Sequence, residues 1–309
     1  MRAVVCPRYG PPEVLRLAEL EKPTPREDEV LVRVRATAVT ASDLFIRGSE
    51  VEWRIWLPFR LMMGLTRPRR AVIGEVLAGE VEAVGARTTR FGVGDRVYGL
   101  TGFRLGAYAE YATLREADSK QGCLAPMPEN LGFEEATAAA YGGLLALQAI
   151  EKARVTRGER VLVYGASGTT GTIAVQVLKD LGAHVTAVCG PAHQALVRSL
   201  GADAVLDYTR EASLAPGVRF EVVLDAVGKA KTSRLRDACA RALSPGGRSV
   251  SIDDGALECD SGRLERLGEL ILAGHVKPVL DRCYPLEQIV EAHRYVAAGH
   301  KQGGVAITV

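Results

Sequence analysis

The first third of the chain alternates polar and apolar residues over short distances. Residues 29–34 (EVLVRV) have the two-residue period of a half-buried strand, and residues 72–84 and 107–114 show a similar pattern. Glycines punctuate this part of the chain, as they do in turns between short strands, at Gly85, Gly92, Gly94, Gly99 and Gly102. The pattern predicts one compact β domain.

From residue 126 onward, short apolar runs alternate with helical segments. A long helix rich in Ala and Leu is predicted over 133–153. The runs that follow are β-branched and apolar on both faces, as strands covered by helices on either side must be. They occupy 160–164, 184–188, 204–206, 222–224 and 248–252, with helices between them at 172–181, 192–200 and 231–243. This alternation indicates a parallel, doubly wound sheet.

The end of the chain predicts a return to the first domain. Two amphipathic helices are expected at 264–273 and 286–298, the second opened by Pro285. The apolar run 305–309 would then supply a further strand to the β domain. The predicted fold class is therefore α/β.

A length of 309 residues suits two domains of ordinary size. We place the β domain at 1–125, completed by the return segment 254–309, and the doubly wound domain at 126–253. The formal net charge of +2 gives no reason to expect nucleic acid or an anionic membrane as partner. With no apolar stretch of membrane-spanning length and no signal-peptide pattern at the start, we expect a cytoplasmic protein without integral membrane association.

The cysteines stand singly along the chain, and no two have the CxxC spacing that is typical of structural zinc sites. Disulfide frameworks also need clustered cysteines. We therefore expect reduced and mostly buried thiols at Cys6, Cys123, Cys189, Cys239, Cys259 and Cys283.

The strongest chemical signal is the segment VLVYGASGTTG at 161–171, between a predicted strand and a predicted helix. Glycines at every third position let the backbone turn tightly and approach a diphosphate group, and the helix start offers free N–H groups to the phosphates. The predicted cofactor contacts are Gly165, Ser167, Gly168, Thr169, Thr170 and Gly171. Because GASGT lacks the final glycine of the GxSxG nucleophile motif, Ser167 is not expected to be a nucleophile.

The end of the second doubly wound strand favours NADP(H) over NAD(H). It reads Ala187–Val188–Cys189–Gly190, where a site for NAD would need a carboxylate to hold the ribose 2′-hydroxyl. No carboxylate stands there to repel a 2′-phosphate. Gly190 is a predicted cofactor contact, and His193 is the nearest basic candidate; the alternative for His193 is a solvated surface histidine.

Longer motifs extend over essentially the whole chain. They are AVIGEVLAGEVEAVG (71–85), VGDRVY (93–98), AYAEY (107–111), GLLALQ (143–148), LGADAVLDY (200–208), VLDAVG (223–228), LSPGG (243–247), VKPVLDRCYPL (276–286) and EAHRY (291–295). Together they resemble the zinc-free quinone oxidoreductase branch of the medium-chain dehydrogenase/reductase superfamily. The resemblance implies a GroES-like β domain, a Rossmann domain with cofactor contacts at Tyr208 and Val227, and a homodimer.

The zinc ligands of that superfamily have no counterpart in this sequence. Where the zinc members have a Cys, three residues before an Asp, the resemblance places Thr40, ahead of Asp43. Glu75 replaces the His of their Gly-His-Glu motif. No four-cysteine lobe stands near 90–120, and all five histidines follow residue 183. We therefore expect no metal.

Without a Lewis acid, little would stabilise the alkoxide that develops in a simple alcohol–carbonyl couple. A quinone or an α,β-unsaturated carbonyl spreads the incoming charge over a conjugated system, so that a few hydrogen-bond donors suffice. The chemistry and the resemblance predict NADPH-dependent hydride transfer to such a small, apolar substrate. The alternatives are an NADP-dependent alcohol or aldehyde oxidoreductase and a non-catalytic NADPH-binding sensor. A short-chain dehydrogenase is excluded, since no tyrosine has a lysine four residues on.

Three residues are candidates for the catalytic pocket. The resemblance places Thr40 and Asp43 at the nicotinamide cleft; the alternative is a helix N-cap at Ser42 or Asp43. Tyr141 would precede the helix beside the nicotinamide and donate its hydroxyl to the substrate oxygen, or would be a packed tyrosine. The resemblance transfers no acid residue, so water is one expected proton source.

Residues 53–70 (WRIWLPFRLMMGLTRPRR) mix aromatic and aliphatic residues with arginines. The segment is interpreted as a mobile cover over the substrate, a partner contact or a membrane-surface patch. The alternative is a helix that packs its apolar side on the β domain and leaves the arginines in solvent.

Overall fold

The structure is a computed structural model that describes residues 1–48, 53–210, 213–228, 234–299 and 301–309, with only the backbone described at 53–55 and 234. The described chain forms two compact units. Unit 1 comprises Met1–Tyr141, Cys259–Gly268 and Leu280–Val309, and unit 2 comprises Gly142–Glu258 and Glu269–Val279. The domain boundaries predicted at residues 125 and 253 stay a prediction.

The strands and helices follow in chain order. The strands are β1 (Arg2–Val5), β2 (Arg16–Glu19), β3 (Glu29–Ala38), β4 (Val76–Val84), β5 (Arg96–Leu100), β6 (Tyr111–Arg115), β7 (Cys123–Pro126), β8 (Arg160–Tyr164), β9 (His184–Cys189), β10 (Ala204–Asp207), β11 (Phe220–Asp225), β12 (Leu243–Ser251), β13 (Leu280–Pro285) and β14 (Gly304–Thr308). The α-helices are α1 (Ala41–Gly48), α2 (Trp53–Met63), α3 (Phe133–Ala153), α4 (Thr169–Asp180), α5 (Gln194–Ser199), α6 (Arg234–Arg241), α7 (Ser261–Leu272) and α8 (Ile289–Ala297).

Strand β3 is the centre of unit 1. It pairs antiparallel with β4, and also with β6 and β14, in a sheet ordered β13-β14-β3-β4-β5-β7. The alternation of EVLVRV buries Val30, Val32 and Val34 against Leu77 and Leu124. Glu29 and Leu31, on the other face, are buried as well, so the period predicted the strand but not that its start is covered on both faces.

The last strand and helix of the chain belong to unit 1. Strand β14 pairs antiparallel with β3, with Ala306 opposite Ala38, and parallel with β13. Helix α8 packs beside it, and Ile289, Val296 and Ile307 are buried in one cluster with residues of the chain start such as Val4. Residues at the two ends of the chain thus share one core.

Unit 2 is built on a parallel sheet in the order β10-β9-β8-β11-β12. Its central strand β8 pairs with β9 and β11, and Val161, Leu162 and Val163 are fully buried, which explains why this run is apolar on both faces. The chain order reverses between β8 and β11, the position at which such sheets bind ligands. The predicted α/β class with a parallel sheet is confirmed.

Most predicted elements are confirmed within a few residues, and α3 and β8 have the predicted bounds. The strand predicted over 107–114 is wrong in its first half. There the N–H groups of Ala107 and Tyr108 bond to the carbonyls of Gly74 and Ile73, outside the regular ladder. Gly74 (φ 97°) and Gly106 (φ 105°) turn the two segments away from sheet geometry. For the same reason β4 begins at residue 76 and not at 72.

The helix predicted over 231–243 is seen as α6, while residues 229–233 lie outside the described residues. The order of helices and strands was thus predicted more reliably than the exact residues at which they begin and end. All six cysteines are free thiols, and four of them are buried. In the described part of the chain, no helix has the length and apolar character needed to cross a bilayer.

Candidate active site

The glycine turn follows β8 at the carboxyl end of the unit 2 sheet. Gly165 has a φ of 80°, and a Cβ there would lie 2.2 Å from Val227 Cγ2. A Cβ on Gly171 would lie 2.2 Å from the Gly165 carbonyl oxygen. The fold itself therefore requires glycine at these two positions. Gly168 is different: its backbone is extended (φ −77°, ψ 176°), and an added Cβ would make an ordinary 3.5 Å contact with the Gly165 oxygen.

Helix α4 begins directly after this turn, with Gly168 as its N-cap. The first intrahelical bond runs from the Thr172 N–H to the Gly168 carbonyl at 2.9 Å, so the N–H groups before it point beyond the helix start. Ser167 and Thr169 are half-buried around this end, and Thr170 is buried. A close-approach glycine at a helix N-terminus fits the diphosphate of a dinucleotide.

The remaining predicted cofactor residues lie at the carboxyl ends of the neighbouring strands. Gly190 follows β9, Tyr208 follows β10 and Val227 follows β11. Gly190 and Tyr208 are adjacent, since a Cβ on Gly190 would lie 3.4 Å from the tyrosine hydroxyl. Val227 packs on Gly165 as described above, and His193 ends a short 3-10 helix that starts at Pro191. The structure thus brings the predicted set to one edge of the sheet.

Two aspartates that hold this edge were missed at the sequence level. Asp225 accepts from the N–H groups of Val227 (3.1 Å) and Gly228 (3.2 Å), and its second oxygen accepts from Ser251 Oγ (3.1 Å) and Arg236 Nη2 (2.5 Å). Asp207 accepts from the N–H and the hydroxyl of Thr209 at 2.9 and 2.6 Å. Their signal was an Asp that ends each apolar run, in VLDAVG and VLDY. Both carboxylates fix the loops that follow their strands.

In unit 1, Thr40 and Asp43 form the start of α1. The N–H and hydroxyl of Thr40 donate to Asp43 Oδ2 at 2.9 and 2.7 Å, and the Asp43 N–H donates to Thr40 Oγ1 at 3.2 Å. This is reciprocal N-terminal capping, with Thr40 as the cap. The cap position that sequence suggested, at Ser42 or Asp43, is wrong because the helix already begins at Ala41.

Asp43 belongs to a cluster with Glu75, Ser42 and Tyr141, which are half-buried around it. The Ser42 hydroxyl lies 3.0 Å from the Tyr141 hydroxyl, and the Ser42 side chain favours the charged form of Glu75 and so lowers its pKa. Asp43 is fully buried, and its Oδ1 has no hydrogen-bond partner among the described residues. Tyr141 lies inside α3, not ahead of a helix as expected, and the residue after it, Gly142, packs so closely on Thr169 of the glycine turn that a Cβ would lie 2.6 Å from its carbonyl oxygen.

Both carboxyl groups of this cluster bind their protons more tightly than usual, and Asp43 adds to the effect at Glu75. Burial raises the pKa of Glu75 to about 8, and the nearby charge of Asp43 acts in the same direction. Burial also raises the pKa of Asp43, to about 6, although the bonds from Thr40 oppose it. Near neutral pH the pair therefore keeps one proton, and that proton resides on Glu75. Burial likewise raises the pKa of Tyr141, so its hydroxyl stays protonated.

A second buried chain of polar groups supports the ionised form of Asp43. The Arg47 Nε donates to His293 Nδ1 at 3.2 Å, and His293 Nε2 lies 3.1 Å from the Tyr108 hydroxyl. Burial and the Arg47 charge lower the pKa of His293 to about 3, so the imidazole is neutral. The hydroxyl of Tyr108 in turn favours the charged form of Asp43. Tyr108 thus connects this network to Asp43 and supports Asp43 as the charged member of the acid pair.

At the sequence level, Glu75 was identified only as the residue that replaces a zinc ligand. The feature that could have marked it as a functional acid is its position as a carboxylate inside the apolar run AVIGEVLAG. The side chains at these positions do not fit zinc, since a threonine hydroxyl is not among its usual ligands and Thr40 already donates to Asp43. Among the residues that the structure describes, no group of three or more His, Cys, Asp or Glu side chains is arranged to hold a metal ion.

The raised pKa of Glu75 makes a prediction for stability. A carboxyl that binds its proton more tightly in the folded state loses stability as pH rises from its ordinary value toward about 8. Glu75→Gln removes this loss. We expect the variant to melt at least about 3 °C above the parent at pH 9 and to match it at pH 5. Calorimetry across this range measures the effect, and an equal dependence on pH in both proteins would contradict it.

Comparison with known proteins agrees with both units. Residues 26–129 match the alcohol dehydrogenase GroES-like domain family, and residues 169–264 and 257–307 match two families described as zinc-binding dehydrogenase. The chain is similar to the 2-methylene-furan-3-one reductase of Solanum lycopersicum, with 30% identity over 99% of this chain and 79% of that protein. It is also similar to the quinone oxidoreductase of Homo sapiens, with 28% identity over 99% and 97% of the two chains.

A solved mycobacterial structure complexed with NADPH superposes with a TM-score of 0.81 and 26% identity, covering all of both chains. These matches extend over the GroES-like unit, the parallel-sheet unit and the C-terminal return alike. The chain belongs to the medium-chain dehydrogenase/reductase superfamily, as an oxidoreductase with quinone oxidoreductase-like relatives.

Proposed function

We propose that this protein is an NADPH-dependent, metal-independent reductase of quinones or α,β-unsaturated carbonyl compounds. The observation that carries the proposal is the glycine turn after β8, which suits a diphosphate, in a chain whose zinc positions hold Thr40 and the protonated carboxyl group of Glu75. Two relatives support the substrate class by their names, since a 2-methylene-furan-3-one is itself a conjugated enone.

The cofactor would be held by unit 2. Gly165, Gly168 and Gly171 shape the turn, and the backbone N–H groups at the start of α4 neutralise the diphosphate. Tyr208 and Val227 would contact it from the neighbouring strand ends, with Ser167, Thr169, Thr170, Gly190 and His193 completing the set. The bound nicotinamide supplies a hydride.

The proton would come from unit 1. Glu75, kept protonated by burial and by Asp43, donates through the Ser42 hydroxyl to that of Tyr141, which faces the substrate oxygen. Thr40 holds Asp43 in place through two hydrogen bonds. Because a conjugated substrate spreads the negative charge, these hydroxyl groups are sufficient electrophilic support.

The preference for NADPH over NADH follows from the end of β9. Cys189 and Gly190 carry no carboxylate, and the carboxylate at the end of the neighbouring strand, Asp207, accepts two hydrogen bonds from Thr209. A 2′-phosphate at the end of β9 therefore meets no carboxylate of that strand, and His193 would add a donor. The cytoplasmic location and the homodimer stay predictions; light scattering of the purified chain measures the second.

The decisive experiment is a substrate panel with the purified protein. We expect turnover of 1,2-naphthoquinone or an alkenal with NADPH, a rate with NADH at least tenfold lower at equal concentration, and no loss of activity after dialysis against a chelator. Simple aldehydes should react slowly or not at all. Tight NADPH binding without turnover of any compound would favour the sensor alternative, and efficient aldehyde reduction would favour an alcohol or aldehyde oxidoreductase.

A further inference from the structure

Helix α2 and the residues after it present apolar side chains to solvent. Leu57, Leu61 and Leu65 are 54%, 53% and 59% exposed. Leu57 and Leu61 lie four residues apart on one side of the helix, and Leu65 follows the helix end. Trp56 and Met62 are exposed beside them. A helix on the surface of a soluble protein normally turns polar residues outward, so an exposed row of this kind indicates an interaction surface.

The other side of the helix is already packed. Met63 is buried in the unit 1 core, Phe59 packs against that core, and the rings of Phe59 and Phe45 lie 4.9 Å apart, edge to face. The guanidinium group of Arg60 stacks over the ring of Tyr9 at 3.9 Å. The exposed row is therefore held outward by a fixed helix. The sequence also allowed a helix that packs its apolar side on the β domain and leaves only the arginines in solvent. The structure agrees with this interpretation in part, because apolar side chains as well as arginines are exposed on the solvent side.

The positive charge of the protein is concentrated at the same place. Residues 53–74 contain five arginines and no acidic residue, although the net charge of the whole chain is only +2. Arg67, Arg69 and Arg70 are exposed, and Arg69 Nη2 donates to the Leu61 carbonyl at 2.7 Å, which holds its side chain against the leucine row. The small net charge conceals this local excess.

We propose that the segment 56–70, which we call the α2 surface, docks this protein reversibly on an anionic lipid membrane. The leucines and Trp56 would enter the boundary between headgroups and acyl chains, while the arginines would bind the lipid phosphates in the headgroup region. A second copy would bring two sets of arginines together with no acidic residue in the segment to compensate them.

The test is co-sedimentation of the full chain with vesicles of phosphatidylcholine alone and with an added fraction of phosphatidylglycerol. Binding is expected only to the anionic vesicles and should weaken steeply between low and high salt. Replacing Leu57, Leu61 and Leu65 with Gln, or Arg67, Arg69 and Arg70 with Gln, should each weaken binding at least tenfold. Because the six side chains are exposed, the melting temperature of both variants should stay near that of the parent.

A matched control replaces Leu17 and Val93 with Gln, since both are exposed apolar residues of unit 1 outside the α2 surface. This variant should bind anionic vesicles as the parent does. The proposal is overturned if the parent does not bind them, or if neither triple variant binds less than the control. It is also overturned if the leucine variant instead abolishes a dimer seen by light scattering, which would assign the surface to a second copy.

Discussion

Replacing Gly168 with alanine is expected to weaken NADPH binding at least tenfold while leaving the protein folded. The backbone at Gly168 suits any residue, and its added Cβ would make only an ordinary contact within the protein. The methyl group would instead occupy the space that the diphosphate needs in order to reach the N–H groups of α4. Losing one or two hydrogen bonds to a charged phosphate costs about 1.5–3 kcal/mol, which corresponds to about tenfold or more in affinity. Titration calorimetry with NADPH measures the change.

Two other glycines provide the controls. Gly171→Ala should lower the melting temperature, because its Cβ would lie 2.2 Å from the Gly165 oxygen and the turn would have to shift. Gly92→Ala, in unit 1, has space and an ordinary backbone, so it should change neither stability nor binding. If Gly168→Ala binds NADPH as tightly as the parent, the diphosphate does not lie against this turn and the cofactor assignment is wrong.

Glu75→Gln is expected to lower kcat for an alkenal by about 100-fold, the usual contribution of a positioned general acid. Glutamine retains the size of the side chain and its capacity for hydrogen bonds, but its amide group is not acidic enough to donate a proton. The pKa of about 8 adds a signature: the parent should lose activity as pH rises through that value, because the donor becomes ionised. The variant should lack this limb, and the affinity for NADPH should be unchanged, since Glu75 lies in unit 1.

Glu80→Gln is the matched control for this prediction. Glu80 stands on β4, five residues further along, where its carboxylate pairs with Arg35 at 2.7 Å. Its kcat and pH profile should equal those of the parent. An unchanged rate and an unchanged alkaline limb in Glu75→Gln would show that the proton reaches the product from water or from another group.

The sequence could predict most of what depends on local pattern. The bounds of α3 and β8 and the return strand near residue 305 follow from periodicity, because each element buries a fixed side. The glycine turn was found because its strand, glycine spacing and helix are contiguous. The course of 71–75 beside 105–110 was not predictable, since two crossing segments with positive-φ glycines replace the expected ladder.

The acid pair of Asp43 and Glu75 could not be predicted from the sequence. Asp43 lies in α1, Glu75 precedes β4 and Tyr141 lies in the middle of α3, so nothing in their spacing along the chain announces that they meet. Proton affinity depends on burial and on the neighbouring charge, and both are properties of the folded β unit. Resemblance to relatives did mark position 75, but as a lost ligand and not as an acid.

The pairing of β14 with β3 sets the order in which the chain can mature. Most of unit 2 is one continuous stretch, residues 142–258, whereas β3 must wait for a partner about 270 residues downstream. During synthesis the Rossmann unit can therefore condense while the N-terminal sheet still has an open edge. His293, which lies 3.1 Å from the Tyr108 hydroxyl, also arrives only with this last segment. The proposed nucleotide site of unit 2 is thus synthesised before the last strand and helix of the β unit.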